Sequence, residues 1–178
     1  IGAKIILVDV LSDKPIIDTK MIRKKISSKT KAIIPVHLNG RAVDLKSIHL
    51  IAEEYGLSII EDSCQAMLSK NNKGFLGTYS TVGCFSLGVT KLITTGQGGL
   101  VVTNDDNIYD KLLLIKNNGV QDIISPKYEC FGANFKFTDI LAAIGIVQLE
   151  KIEKHAKSVI ELYKTYQNYI KDFSSIKL

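Results

Sequence analysis

The sequence predicts an α/β fold with three layers, in which a mostly parallel sheet carries helices on both faces. Two observations support this prediction. Strand and helix patterns alternate along the first part of the 178-residue chain, and several strand patterns are unbroken apolar runs. Unbroken runs are typical of strands covered on both faces, and alternating strands and helices are typical of parallel sheets with crossover helices.

The first three elements are predicted from two apolar runs and one helix cap. Residues 3–10, "AKIILVDV", form an unbroken run typical of a buried strand. Asp18 is a residue type that caps helices, and we expect the helix behind it to continue to about Ile26. The run "KAIIPVH", residues 31–37, predicts the next strand, which ends at the polar turn "LNGRAV".

A second helix is predicted between Asp44 and Gly56. Asp44 can cap its start, and Gly56 can adopt the left-handed conformation that closes helices. The apolar positions between them recur at helical spacing and are expected to face inward: Leu45, Ile48, Ile51, Ala52 and Tyr55. The short run "LSIIED", residues 57–62, follows as another buried strand.

The second half of the chain adds two strands and further helices. The stretches "GCFSLG" and "GGLVVTND" predict strands, and a helix is expected from about Asp106 to Lys116. Residues 117–137 are polar and irregular, which predicts a surface excursion. A long helical pattern then begins at Thr138 or Asp139. Its second part has apolar residues at intervals of three and four: Leu149, Ile152, Ala156, Val159, Tyr163, Tyr166 and Ile170.

The basic residues are expected to form a solvated helix face. The chain has 23 basic and 18 acidic residues, a net charge of +5. In the densest basic stretch, residues 19–31, one face is apolar and the other is basic: Met21, Ile22 and Ile26 against Lys20, Arg23, Lys24 and Lys25. Because the other lysines are scattered and no aromatic residues interleave, a solvated face is favoured over nucleic-acid binding.

The cysteines and apolar runs favour a cytoplasmic protein. Cys64, Cys84 and Cys130 lie far apart without a CxxC pair, which argues against a zinc site or a disulfide framework and fits a reducing compartment. No apolar run is long enough to cross a bilayer. The chain opens abruptly on "IGAKIILVDV", and we therefore expect it to be a fragment of a longer protein.

Polar side chains follow three of the predicted strands. His37 follows "AIIPV", Asp62 ends "LSIIED", and Ser86 follows "GCF"; Lys91 comes five residues after Ser86. Ligands of open parallel sheets bind beyond the carboxyl ends of the strands, so these groups are candidates for a binding site. Each also has a structural interpretation: Asp62 as a cap or turn former, His37 as a satisfied structural histidine, and Lys91 as a solvated lysine.

A carboxylate, a hydroxyl and a lysine are the groups that pyridoxal 5′-phosphate (PLP) requires. A desolvated lysine can form a Schiff base with an aldehyde. An acidic side chain keeps the pyridinium nitrogen protonated, and hydroxyls and backbone N–H groups bind the phosphate. Asp62, Ser86 and Lys91 supply these chemistries, although their spacing alone leaves the structural interpretations open.

Two motifs carry a resemblance to a known family. The chain contains "IEDSCQA" and "CFSLGVTK", in which Asp62 and Lys91 are 29 residues apart. In these motifs, and over nearly its whole length, the chain resembles the DegT/DnrJ/EryC1/StrS family of PLP-dependent sugar aminotransferases. The resemblance implies a fold type I large domain, present here in part. Residues 1–150 would be its central part, and residues 151–178 a helix leading towards a small C-terminal domain that this chain lacks.

The resemblance also implies a role for each site residue. Lys91 would be the Schiff-base lysine and proton carrier, and Asp62 the partner of the pyridinium nitrogen. Gln65 would contact the cofactor near its phenolic oxygen, and Ser86 would bind the phosphate. Asn134, in "GANFKFTD", would reach the phosphate of the neighbouring subunit's cofactor, which implies a homodimer with shared sites.

The implied activity is transfer of an amino group from an amino acid, usually glutamate, to a nucleotide-linked keto-sugar. Family members with histidine at the lysine position are dehydratases, so Lys91 favours an aminotransferase. Departures from the family pattern at Asn39, Gln97 and Lys136 bear on substrate preference. One alternative is a truncated, non-catalytic PLP-binding or dimerising fragment. A dinucleotide-binding domain is disfavoured because no GxGxxG follows the first strand.

Overall fold

The computed structural model describes residues 1–122, 124–173 and 176, and the chain forms two compact units. The first unit consists of Ile1–Ser86 and Gly99–Lys136, and the second of Leu87–Gly98 and the described part of Phe137–Leu178. The strands are β1 (Ala32–Ile33), β2 (Ser58–Asp62), β3 (Lys70–Asn71), β4 (Gly74–Phe75), β5 (Val82–Ser86) and β6 (Gly99–Val102). The α-helices are α1 (Thr19–Ile22), α2 (Leu45–Tyr55), α3 (Asp106–Lys116), α4 (Asp139–Glu150) and α5 (Ile152–Ile170).

The main sheet of the first unit is mostly parallel, with strand order β1-β2-β5-β6. β1 pairs with β2 and β2 with β5 in parallel, and β6 runs antiparallel to β5. A further parallel bridge joins Val36 to Asp62, so the pairing of these segments continues beyond β1. β3 and β4 form a separate two-stranded hairpin. The predicted α/β fold with a mostly parallel sheet is confirmed.

Helix α2 has the caps that the sequence predicts. The Asp44 carboxylate accepts a hydrogen bond of 3.1 Å from the Ser47 N–H, and Gly56 adopts φ 63° at the C-cap. The buried residues of α2 are Leu45, Ile48, Ile51 and Ala52, and they pack into one core cluster with Ile33 of β1 and Ile59 of β2. Burying these aliphatic side chains is the main force that holds the helix on the sheet.

Tyr55 does not face the core as predicted, since it is 44% exposed. It is the last residue of α2, and the residue before it, Glu54, pairs with Arg23 across 2.7 Å at the surface. The phenol at the end of the helix therefore stays in solvent, whereas the apolar positions before it are buried.

The strand predicted over residues 3–10 is absent. Ile5 is 80% and Leu7 82% exposed, and the described backbone pairs there only around Val10, which bridges Ile17. Because a strand is stable only beside a hydrogen-bonded neighbour, an apolar run alone does not produce one.

The segment after residue 10 agrees with the sequence prediction. Asp18 caps α1 by accepting from the Lys20 N–H, and a 3₁₀ turn continues the helix through Arg23–Lys25 to Ile26. The Ile22 side chain is buried, whereas the basic side chains of this segment are exposed.

The second unit is built on two consecutive helices. The Thr138 hydroxyl caps α4, and α5 follows after Lys151. The Thr94 N–H donates to the Gln148 side chain of α4 at 3.4 Å, which connects the segment 87–98 to this helix. Within the described residues, no helix is both long and apolar enough to span a membrane. The helix predicted over residues 151–178 includes residues 174, 175, 177 and 178, which lie outside the described part.

Candidate active site

The structure brings His37, Asp62 and Ser86 to one edge of the sheet. This carboxyl edge is the edge at which the parallel strands β1, β2 and β5 end. Asp62 ends β2 and pairs in register with Cys84, two residues before Ser86, which ends β5. The His37 N–H donates to the Asp62 carbonyl across 3.0 Å. The edge position expected from the sequence is therefore observed for all three residues.

Asp62 is fixed on both its backbone and its side chain. Its N–H donates to the Pro35 carbonyl at 2.9 Å, and its carboxylate Oδ1 accepts from the Cys64 N–H at 3.0 Å. Burial, and secondarily the charge of Asp62, raises the pKa of the Cys84 thiol. A half-buried carboxylate is thus held at the end of β2, with Oδ1 engaged by its own turn.

Gln65 presents its side chain in a defined orientation. Its Oε1 accepts a hydrogen bond of 3.1 Å from the backbone N–H of Asn39, which has a left-handed conformation with φ 51°. Because a backbone N–H can only donate, the oxygen of the Gln65 amide must face Asn39. The two N–H donors of the amide consequently point elsewhere, on an exposed side chain.

Lys91 belongs to the second unit, whereas Asp62, Gln65, Ser86 and Asn134 belong to the first. Lys91 closes a turn in which its N–H donates to the Gly88 carbonyl at 3.0 Å, and its side chain is partly exposed. The loop around it is closed by hydrogen bonds from Leu87 N–H to Gly98 and from Thr95 N–H to Leu87.

Asn134 lies in the irregular segment 117–137, as predicted, and it is exposed. It forms an isolated antiparallel bridge with Asn117, just after α3, and its side-chain oxygen accepts from the Lys136 N–H at 3.3 Å. The Lys136 and Gln97 side chains are also exposed. Residue 123 of this segment lies outside the described part.

The sequence did not single out Glu61, which forms a buried pair with His37. Both side chains are fully buried, and His37 Nε2 lies 2.9 Å from Glu61 Oε2. Glu61 also accepts hydrogen bonds from the backbone N–H groups of Gly77, Tyr79 and Ser80, at 2.8, 3.0 and 2.8 Å. The structural interpretation of His37 is the one observed: its ring is buried and satisfied.

Hydrogen bonding holds Glu61 in its charged form. Burial alone would raise the pKa of this carboxyl, but the hydrogen bonds from His37, Gly77, Ser80 and Tyr79 outweigh it and lower the pKa to about 2. Along β2 the buried residues Ile59 and Glu61 alternate with the half-buried residues Ile60 and Asp62. The sequence carries no matching signal, because Ile59 and Ile60 are both apolar and Glu61 and Asp62 are both acidic.

Comparison with known proteins places the chain in a class. It matches the DegT/DnrJ/EryC1/StrS aminotransferase family over residues 1–178. It is 34% identical over 169 residues to the GDP-perosamine synthase of Vibrio cholerae, covering 94% of this chain and 46% of that protein. It is 37% identical over 166 residues to the GDP-perosamine synthase of Escherichia coli O157:H7, covering 92% of this chain and 46% of that protein.

A solved structure supports the same class. Helicobacter pylori PseC, an aminotransferase involved in the biosynthesis of pseudoaminic acid, matches with a TM-score of 0.90 at 30% identity, covering 97% of this chain and 47% of that one. The fold and these matches together define the class of protein as an aminotransferase. The chain belongs to the DegT/DnrJ/EryC1/StrS aminotransferase family. It spans about half the length of the relatives it matches.

Proposed function

We propose that this chain is part of a PLP-dependent aminotransferase that moves an amino group from an amino acid, glutamate, to a nucleotide-linked keto-sugar. The observation that carries the proposal is the half-buried Asp62 carboxylate at the end of β2, in a chain of this family that has lysine at position 91. The nucleotide-sugar substrate is supported by the names of the relatives, two of which are GDP-perosamine synthases.

The side chains of the carboxyl edge fit PLP by their donor and acceptor chemistry. Asp62 offers an anionic acceptor for a protonated ring nitrogen, and Gln65 offers amide donors turned away from Asn39, suited to the phenolic oxygen. Ser86, at the end of β5, offers a hydroxyl for the phosphate. When bound, PLP supplies an electron sink that makes the Cα proton of the amino acid acidic.

Lys91 has two roles in this proposal. Its Nζ would hold the cofactor covalently, and the same amine, when free, would carry the proton from the Cα of the amino donor to C4′ of the cofactor. A positioned base of this kind contributes on the order of 100- to 10,000-fold to the rate. Asp62 would face the ring nitrogen and favour its protonated form.

The remaining roles concern the whole enzyme. Residues 1–150 are proposed as the central part of the large domain and residues 151–178 as the connection to a smaller C-terminal domain; α4 and α5 meet at Lys151, close to this boundary. Asn134, on an exposed segment, is proposed to reach the cofactor phosphate of a second copy in a homodimer. A cytoplasmic location follows from the proposed biosynthetic substrates.

Replacement of Lys91 tests this function in the full-length enzyme. Lys91→Ala is expected to reduce amino transfer to a nucleotide-linked keto-sugar by at least about 100-fold. The matched control is Lys111→Ala, which removes an exposed lysine of α3 and is expected to leave the rate unchanged. A Lys91→Ala enzyme with the wild-type rate would refute the assignment.

The alternative is a non-catalytic PLP-binding or dimerising fragment. Two results together would support this alternative for the chain alone. The 178-residue chain would bind PLP without transferring amino groups, and the full-length protein would transfer them.

A further inference from the structure

The buried pair of His37 and Glu61 has no part in the chemistry proposed above. Both side chains are fully buried, and both Glu61 oxygens are saturated: Oε2 accepts from His37 and Gly77, and Oε1 accepts from Tyr79 and Ser80. A buried carboxylate is costly unless its acceptors are satisfied, and here four donors satisfy it.

The protonation of the His37 ring follows from its neighbours. The backbone N–H of Val43 donates to Nδ1 at 3.3 Å, so Nδ1 carries no proton. The ring proton is therefore on Nε2, from which it is donated to Glu61 Oε2. A neutral imidazole thus connects the segment after β1 to an anionic carboxylate on β2.

This network joins three segments of the first unit. His37 and Val43 bracket the segment 37–43, Glu61 is the penultimate residue of β2, and residues 77–80 lead into β5. Each segment is held through Glu61 or His37 by at least one hydrogen bond. Loss of either side chain therefore releases several segments at once.

The segment that begins at His37 contacts two residues proposed to bind the cofactor, namely Asp62 at the end of β2 and Gln65 in the loop after β2. The His37 N–H donates to the Asp62 carbonyl, and the Asn39 N–H donates to the Gln65 amide. Asp62 also directly follows Glu61 in the chain. The Asp62 carboxylate is thus linked to the buried pair through the adjacent residue Glu61. The Gln65 amide is linked to the pair through the backbone between His37 and Asn39.

We propose that His37 and Glu61 are positioning residues that set the orientation of Asp62 and Gln65 for the cofactor. The part of this inference that concerns the cofactor, which we call its cofactor half, rests on the proposed function. The other part concerns the orientations of Asp62 and Gln65, which depend only on hydrogen bonds that exist before any cofactor binds.

Glu61→Gln is a sharp perturbation because the change is nearly isosteric. The new amide nitrogen must face either Gly77 N–H and His37 Nε2–H, or the N–H groups of Tyr79 and Ser80. In both orientations donors oppose donors. A shift of the His37 proton to Nδ1 does not help, because Val43 N–H points there. Glu54→Gln, at an exposed carboxylate, is the matched control.

The first measurement is amide hydrogen exchange by NMR on the full-length protein without cofactor. The reporters are the amides of Cys64 and Asn39, which bond the Asp62 and Gln65 side chains. Glu61→Gln is expected to accelerate exchange of both by roughly tenfold, while Ser47, bonded to Asp44, keeps its protection. Unchanged reporters, or reporters that change only in step with Ser47, would overturn the inference.

The second measurement uses the reconstituted holoenzyme with ¹⁵N in the PLP ring. Asp62→Asn defines the nitrogen shift of a lost contact, and Glu61→Gln is expected to move the wild-type signal towards it, whereas Glu54→Gln is expected not to. A wild-type signal in Glu61→Gln overturns the positioning role. A signal that is identical in wild type and Asp62→Asn overturns the proposed role of Asp62 and the cofactor half of the inference, independently of the exchange result.

A second variant covers the case in which Glu61→Gln does not fold. His37→Gln leaves the three backbone donors of Glu61 in place, and its amide nitrogen can take the place of Nε2, but its oxygen then cannot occupy the Nδ1 position that accepts from Val43 N–H. The same selective acceleration at Asn39 and Cys64 is expected for it. Wild-type protection at both amides in a folded His37→Gln protein would contradict the proposal.

Discussion

The backbone N–H of Asn39 donates to the side-chain oxygen of Gln65 across 3.1 Å, and this contact decides which way the amide points. The contact joins the loop after β1 to the loop after β2. Its consequence is that the Gln65 donors, rather than its acceptor, are available for a ligand at the carboxyl edge.

Gln65→Glu tests this orientation. The variant keeps an acceptor for Asn39 but replaces the outward donors by a second carboxylate oxygen. We expect PLP affinity of the full-length enzyme to fall roughly ten- to a hundredfold, while the unfolding midpoint without cofactor stays the same. The affinity is measured by fluorescence titration. The control is Asn72→Asp, the same amide-to-acid change at an exposed residue between β3 and β4. Equal affinities in wild type and Gln65→Glu would contradict a donor role.

The Glu61 carboxyl makes folding stability depend on acidity. Its pKa in the folded protein is about 2, below the ordinary value of 4.5. The stabilisation of the folded state by the charged carboxyl is therefore fully present above about pH 4.5 and is lost as the pH falls towards 2. The difference between the two pKa values corresponds to about 3 kcal/mol of unfolding free energy. Urea unfolding from pH 7 to pH 2 measures this loss.

Glu61→Gln and Glu54→Gln separate this carboxyl from other acidic groups. Glu61→Gln should be less stable than wild type at pH 7 and should show a smaller loss between pH 5 and pH 2. Glu54→Gln should retain most of the wild-type pH dependence. If Glu61→Gln and wild type lose the same free energy across this range, the charged state of Glu61 has been assigned wrongly.

Gly56 closes α2 in the left-handed conformation, with φ 63° and no atom within 4 Å of the position that a Cβ would occupy. Substitution there is consequently a test of backbone strain without any steric clash. Gly56→Ala is expected to lower the unfolding free energy by about 1 kcal/mol, and Gly56→Asn by less, because asparagine tolerates this conformation better. Thermal unfolding of both variants gives the comparison, and equal losses would argue against conformational strain as the cause.

Local chemistry predicted the helix ends well. Asp18, Asp44 and Thr138 cap the helices expected of them, and Gly56 ends α2, because each cap depends on one side chain and the next few N–H groups. The motifs predicted the family, and the strand patterns predicted the strand-end positions of Asp62 and Ser86. These features are encoded over short stretches of sequence.

The features that the sequence did not predict depend on contacts between distant segments. Residues 3–10 have the composition of a buried strand, but pairing requires a neighbour that composition cannot supply. The apolar stripe predicted in the last helix is largely exposed, with Val159 and Tyr166 each 56% exposed. The role of Glu61 was missed because its partners come from residues 37 and 77–80, far away in sequence.

The most direct test of the proposed function is covalent trapping of the cofactor. The full-length protein is incubated with PLP, reduced with borohydride, digested and analysed by peptide mass spectrometry. The label is expected on the peptide that contains Lys91, and Lys91→Ala should abolish it while Lys111→Ala should not. A stable label on another lysine, with the Lys91 peptide unmodified, would contradict the assignment of Lys91 as the lysine that attaches the cofactor.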